Sequence, residues 1–202
     1  MPKLLLATTN QGKLREYQHL ISGLPFEMVS PITEGLDIYV EESHPSYEEN
    51  ARLKATIYSR ASHLLTLADD SGLEVDALGG EPGIHSARAA GENASDKDRI
   101  AYLLNRLKDV PWEERTARFV CVVAIAIPED NMEICMGECH GIIAFEPRGS
   151  DGFGYDPVFY FSEIGKTMAE LPLDIKNQIS HRGQAACKAR TVLENLAENV
   201  KP

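Results

Sequence analysis

Four short stretches of this chain hold residue types that could do chemistry. The first is Thr8-Thr9-Asn10-Gln11-Gly12-Lys13. It follows an apolar run, Lys3 to Thr8, and precedes Leu14, Tyr17, Gln18 and Ile21 at helical spacing. Backbone N–H groups at a helix start, the positive end of the helix dipole and a lysine together form an anion site. The stretch is not a Walker loop, because the Gly-Lys-Ser/Thr context is missing. An ordinary polar turn has the same composition.

The second is Asp69-Asp70, with Glu41-Glu42. Each pair is expected at the end of a strand, over Leu64 to Ala68 and over Asp37 to Val40. Strand ends in α/β sheets are where ligands bind. Two carboxylates from different strands suit Mg²⁺, which prefers oxygen ligands and keeps several waters. A carboxylate there could also accept a proton from an attacking water. Adjacent acids are otherwise common in solvated turns.

The third is Lys176-Asn177-Gln178-Ile179-Ser180-His181-Arg182. A helix is expected from about Asp174, with Lys176, Ser180 and Gly183 on one face. Ile175, Ile179, Ala186, Ala189, Leu193, Leu196 and Val200 form its apolar stripe. Arg182 interrupts that stripe, and such local inconsistencies tend to mark functional positions. The fourth is Phe153-Gly154-Tyr155-Asp156, inside the glycine-rich segment Gly149 to Pro157. An aromatic ring on a glycine loop can stack on a base, although such a Phe can equally fill a core. Together the four supply an anion loop, an acidic pair, a basic helix and an aromatic clamp. That is the inventory for hydrolysing a nucleoside triphosphate with Mg²⁺.

Alternating strands and helices must position these groups. Ser46 with Glu49 makes a helix start, and Leu53, Ile57, Ala61 and Leu64 would be its apolar stripe. Ser95 caps a second helix, with Asp98 at its third position, burying Ile100, Leu103, Leu104 and Leu107. Phe119 to Ile127 is almost continuously apolar and β-branched, as a central strand should be. A turn at Pro128-Glu129-Asp130-Asn131 leads into a strand from Met132 to about Phe145, and Val158 to Phe161 forms another. The pattern is α/β with a mixed sheet.

The chain has 202 residues, of which 43% are apolar, enough to bury a sizeable core without disulfides or structural metal. Its 31 acids against 20 bases give a net charge of −11. That balance argues against nucleic acid or an anionic membrane as partner. No run of about 18 apolar residues suggests a membrane span, and the start is too short for a signal peptide. The expected compartment is the cytoplasm. Cys135, Cys139 and His140 lie in a strand-like stretch, where residues four apart are about 13 Å from each other, too far to share a zinc ion. Reduced thiols are expected instead.

At this point the sequence resembles a known family. Thr8 to Lys13, Ala68-Asp69-Asp70-Ser71-Gly72-Leu73, Gly79-Gly80-Glu81-Pro82-Gly83-Ile84, Gly152-Phe153-Gly154-Tyr155-Asp156-Pro157 and Ser180-His181-Arg182-Gly183 are similar to the motifs of the inosine triphosphate pyrophosphatases. They occur in family order across nearly the whole chain. The resemblance implies one domain with an elongated mixed sheet flanked by helices, two lobes and an active site in the cleft between them. It implies a homodimer that hydrolyses ITP, dITP and XTP to the monophosphate and pyrophosphate. Thr8, Thr9, Asn10, Gln11, Gly12 and Lys13 would bind the triphosphate. Asp70 would accept the proton and, with Glu41, hold Mg²⁺. Ser71 would touch substrate, and Phe153, Gly154, Tyr155, Asp156, Lys176, His181 and Arg182 would hold base and phosphates. Ser43-His44 stands where the family usually has Thr-Gly, and Asp174-Ile175 precedes Lys176.

Base choice follows from donor chemistry. Hypoxanthine and xanthine carry an acceptor oxygen at position 6, where adenine carries a donor. Arg182 has only donors, so facing position 6 it would favour ITP and XTP over ATP. Two other functions compete: a pyrophosphatase for modified pyrimidines, and a nucleotide sensor without turnover. The pairing of Glu41 with Asp70 argues against the sensor, because binding alone needs no water-activating acid.

Overall fold

The computed structural model describes residues 1–128 and 131–199. The expected turn residues Glu129 and Asp130, and Val200 of the helix stripe, lie outside them. Seven strands form one sheet in the order β2-β1-β3-β4-β5-β6-β7. They are β1 (Lys3–Leu6), β2 (Glu27–Val29), β3 (Leu65–Val75), β4 (Thr116–Ala126), β5 (Met132–Ile143), β6 (Phe159–Phe161) and β7 (Lys166–Thr167). β1 is parallel to β2 and β3, whereas β6 is antiparallel to β5 and β7. The helices are α1 (Gln11–Leu20), α2 (Tyr47–Ser62), α3 (Asp96–Arg106), α4 (Leu173–Ile179) and α5 (His181–Asn199). The mixed α/β class is as the sequence pattern implies.

The chain forms two compact units. Among the described residues, the first comprises 1–70, 121–128, 131–137 and 182–199, and the second 71–120 and 138–181. β3, β4 and β5 each run from one unit into the other along the chain. In the first unit, Leu4 and Leu6 of β1, Leu67 of β3 and Cys121, Val123 and Ile125 of β4 form a core with Leu14 and Tyr17 of α1 and Ala186, Ala189 and Leu193 of α5. In the second, Leu73, Val75, Phe119 and Phe159 pack with Ile100, Leu103 and Leu107, the face expected for α3.

Caps fix two helix starts as the sequence specifies. Ser46 Oγ accepts the Glu49 N–H at 3.2 Å. Ser95 and Asp98 form a reciprocal capping box, in which each side chain accepts a backbone N–H of the other residue. All four cysteines are reduced: Cys121, Cys135 and Cys139 are buried, and Cys187 is exposed.

Four expectations are corrected. The strand over Asp37 to Val40 is absent, and the short β2 takes the edge beside β1 instead. Tyr39 is 88% exposed, so this stretch lacks a buried face to hold it in a sheet. Asp69 and Asp70 lie inside β3 and not at its end. The run looked terminated because two acids rarely sit mid-strand; here buried cations compensate them. The buried face of α2 is Tyr47, Asn50, Ala51, Lys54, Ala55 and Tyr58, while Ala61 is exposed. Polar Asn50 and Lys54 lie inward because they serve the acids, which turns the stripe away from Leu53 and Ile57. The final helix is two helices, broken at Ser180 with φ −73° and ψ 158°. Lys176, Ser180 and Gly183 therefore do not share one helical face.

Candidate active site

β3 delivers Asp69 and Asp70 to opposite faces of the sheet, because successive strand residues alternate. On one face Asp69 meets α1 and α5. Lys13 Nζ lies 3.0 Å from Asp69 Oδ2, and Arg182 Nε lies 3.5 Å from the same oxygen. Arg182 Nη1 also donates to Glu16 at 2.7 Å. Burial alone would raise the Asp69 pKa, but Lys13, Arg182 and Lys54 outweigh it and hold the carboxyl at about 2. Asp69 Oδ1 is buried and has no hydrogen-bond partner.

On the other face Asp70 meets α2. Asn50 Nδ2 donates to Asp70 Oδ2 at 3.2 Å, and Asn50 also bonds the backbone N–H and carbonyl of His44. Lys54 pairs with Glu42. Burial pushes the Asp70 carboxyl up, to about 6; Glu42 and Asp69 add to that rise, and Lys13 and Lys54 oppose it. Burial would lower the Lys54 pKa, but Glu42, Asp69 and Asp70 raise it above the ordinary lysine range. One neighbour in sequence is thus a fixed anion, and the other is poised to exchange a proton near neutral pH.

The Thr8 to Lys13 stretch is a strand-to-helix turn. Asn10 caps α1, its Oδ1 accepting the Lys13 N–H at 3.1 Å, and Thr8 Oγ1 accepts the Asn10 N–H at 3.2 Å. Thr9, Asn10 and Gln11 are exposed, and Gly12 is buried. Ser71, half-buried, follows Asp70 in β3. Glu41 is exposed beside the half-buried Glu42.

In the second unit, Asp156 accepts the Phe153 N–H at 2.9 Å and pairs with Lys176. Lys176 Nζ stands 5.1 Å from the centroid of the Phe153 ring. At Gly152, with φ +77°, an added Cβ would lie 2.0 Å from an Asp156 oxygen, so glycine is required there. His181 stacks on Phe119 with centroids 4.5 Å apart and planes 10° apart, and its Nδ1 lies 3.9 Å from Cys139 Sγ.

The structure thus brings Lys13 and Arg182 together on Asp69, and sets Asp70 against Asn50, in the first unit, and brings Phe153, Asp156 and Lys176 together in the second. It adds Glu16, one helical turn after Lys13 and signalled in the sequence only by that spacing. It also adds Phe119, hidden in an apolar run.

The acids of the site offer carboxylate oxygens, the donor chemistry that magnesium takes, and Asp69 Oδ1 is a buried carboxylate oxygen without a hydrogen-bond partner. Among the described residues, no group of three or more His, Cys, Asp or Glu able to hold a metal occurs.

A mixed sheet with this acid pair on an interior strand and a capped lysine turn beside it defines an α/β protein whose buried charged side chains gather about Asp69 and Asp70. Comparison makes the assignment specific. The model of the Ham1 family matches residues 4–192, and the chain belongs to that family. It is 52% identical over 186 residues to a dITP/XTP pyrophosphatase of Geobacter sulfurreducens, covering 92% of this chain and 93% of that one. It is 50% identical to a dITP/XTP pyrophosphatase of Geobacillus kaustophilus, covering 93% and 92%. The solved structure of a HAM1 protein from Coxiella burnetii matches with a TM-score of 0.87 at 41% identity, covering 96% of this chain and 100% of that one. The resemblance carried by the sequence motifs is borne out.

Proposed function

We propose that this Ham1 chain is a Mg²⁺-dependent nucleoside-triphosphate pyrophosphatase acting on dITP, XTP and ITP. The observation that carries the reading is the pair Asp69-Asp70 on one strand, one acid locked as an anion by Lys13 and Arg182 and the other, raised to about 6, beside Lys54 and Asn50. The names of the relatives support the substrate class.

Water attacks the α-phosphorus, the α–β bridging bond breaks, and pyrophosphate leaves with that oxygen. Asp70 takes the water's proton, and Asn50 orients its carboxyl through the 3.2 Å bond. Asp70 and Glu41 would hold the magnesium, since Glu42 is engaged by Lys54. A bound Mg²⁺ supplies charge neutralisation on the phosphates. Lys13 and Lys54 provide the chain's own cations for the same developing charge. The Thr8 to Lys13 turn offers its backbone to the phosphates. Phe153 to Asp156 and Lys176 are assigned to base and phosphates, with His181. Arg182, held by Glu16 and Asp69, carries N–H donors only, and on that chemistry it is assigned to the base carbonyl at position 6. The expected result for the cell is removal of non-standard purines before their incorporation into nucleic acid. A homodimer in the cytoplasm is part of the same reading.

Incubation with dITP, XTP, ITP, GTP, ATP and dUTP tests it, with the released phosphate species identified. Pyrophosphate from the first three, stopped by EDTA and restored by Mg²⁺, is expected. Release of single phosphate, or preference for dUTP, would overturn it.

A further inference from the structure

We propose that Asp96 is a positioning residue that holds the Phe153–Asp156 loop, and with it the Phe153 ring, in the stance for stacking on a purine base. The inference rests on the reading above, in which that loop receives the base. Gly154 donates its N–H to Asp96 Oδ2 at 2.7 Å, a charge-assisted bond of the stronger kind. Gly154 has φ +64°, and an added Cβ would meet nothing within 4 Å. Glycine is needed there for its torsion and not for lack of room, and the open surroundings leave the hydrogen bond to fix the turn.

Asp96 is itself fixed. It pairs with Arg99, whose Nη1 donates to the carbonyls of Ala87 at 3.0 Å and Ala94 at 2.6 Å. A second strut comes from Ser86. Its hydroxyl accepts the Leu73 N–H at 2.8 Å and donates to the Gly83 carbonyl at 2.6 Å, while its carbonyl accepts the Tyr155 hydroxyl at 3.0 Å. The loop is therefore held from behind at Gly154 and Tyr155, and from within by Asp156. An acid at the start of α3 would ordinarily be explained by capping, but Asp98 makes the capping box, and Asp96 reaches across to the loop.

The test compares wild type with Asp96→Ala, Asp96→Asn and Asp98→Ala, using dITP as substrate and hydrogen exchange at the Gly154 amide. Asp96→Ala should raise KM about fivefold or more, the scale of one lost base–aromatic stack, with kcat within about twofold. Gly154 exchange should accelerate with it. Asp96→Asn, which keeps an acceptor oxygen, should restore both towards wild type. Asp98→Ala, which removes the cap of the same helix, should lower Tm and leave KM and Gly154 exchange alone. An unchanged KM or Gly154 exchange in Asp96→Ala would overturn the proposal, and so would a KM rise of equal size in Asp98→Ala. If wild type itself releases no pyrophosphate from dITP, the base-loop reading fails first, and the exchange data report separately on the Asp96 bond.

Discussion

Asp69 and Asp70 show what neighbourhood does to one chemical group. Both are buried aspartates, yet one is held at about 2 and the other raised to about 6. The consequence for stability runs in opposite directions. Asp69 ionises more readily folded than unfolded, so its contribution is present above about pH 4 and is lost as pH falls towards 2. Asp70 ionises less readily folded, so its cost appears as pH rises from about 4 to about 6 and is fully present at neutrality. A carboxyl moved from 3.8 to about 6 costs roughly 2–3 kcal/mol at pH 7. Asp70→Asn is therefore expected to lower kcat by about 10²-fold or more while raising Tm at pH 7.5 in EDTA. Melting curves at pH 7.5 and pH 3.5 check this, and the Tm gain should vanish at the lower pH. Asp69→Asn should do the reverse for stability. It leaves Lys13 and Arg182 without their shared anion, at a cost of about 3–5 kcal/mol seen in urea unfolding. Glu41→Gln should weaken the Mg²⁺-dependent rise in Tm more than Glu42→Gln. Equal loss in both variants would place the ligand role on the pair.

The elements act as brackets for these residues, and two of them were hard to read from sequence. The start of α2 was legible because Ser46 and Glu49 state it outright; Ser46→Ala should cost about 1 kcal/mol in Tm-derived stability with kcat unchanged. Its inward face is legible only in part: spacing alone puts Lys54 on the face bearing Tyr47 and Asn50, and that face is buried, but the apolar stripe points elsewhere. Periodicity weighs Leu53 and Ile57 above Asn50 and Lys54, whereas the helix turns the polar pair inward to meet Asp70 and Glu42. Mid-strand acids misled in the same way, since an apolar pattern cannot register that α1 and α5 carry the compensating cations. The α4–α5 break left no strong mark either: Ser180 is neither glycine nor proline, and Ile179 and Arg182 still fit one helical repeat. What the sequence did display were the short motifs. Their residue types are fixed by chemistry and not by burial.

At the scale of the molecule, β3, β4 and β5 each belong to both compact units. One strand cannot melt by halves without exposing its ladder. Thermal unfolding should accordingly be a single transition, with the fluorescence of Trp112, the only tryptophan, coincident with far-UV circular dichroism. Two separated midpoints would mean that each unit melts alone. The extended Ser180 has a comparable reach. It sets where α5 begins, and the first two residues of that helix point apart by one helical step, His181 flat on Phe119 and Arg182 towards Glu16. Splicing a residue in or out at that swivel would therefore misdirect an imidazole and a guanidinium at once, which makes the register of this single peptide unit as indispensable as any side chain.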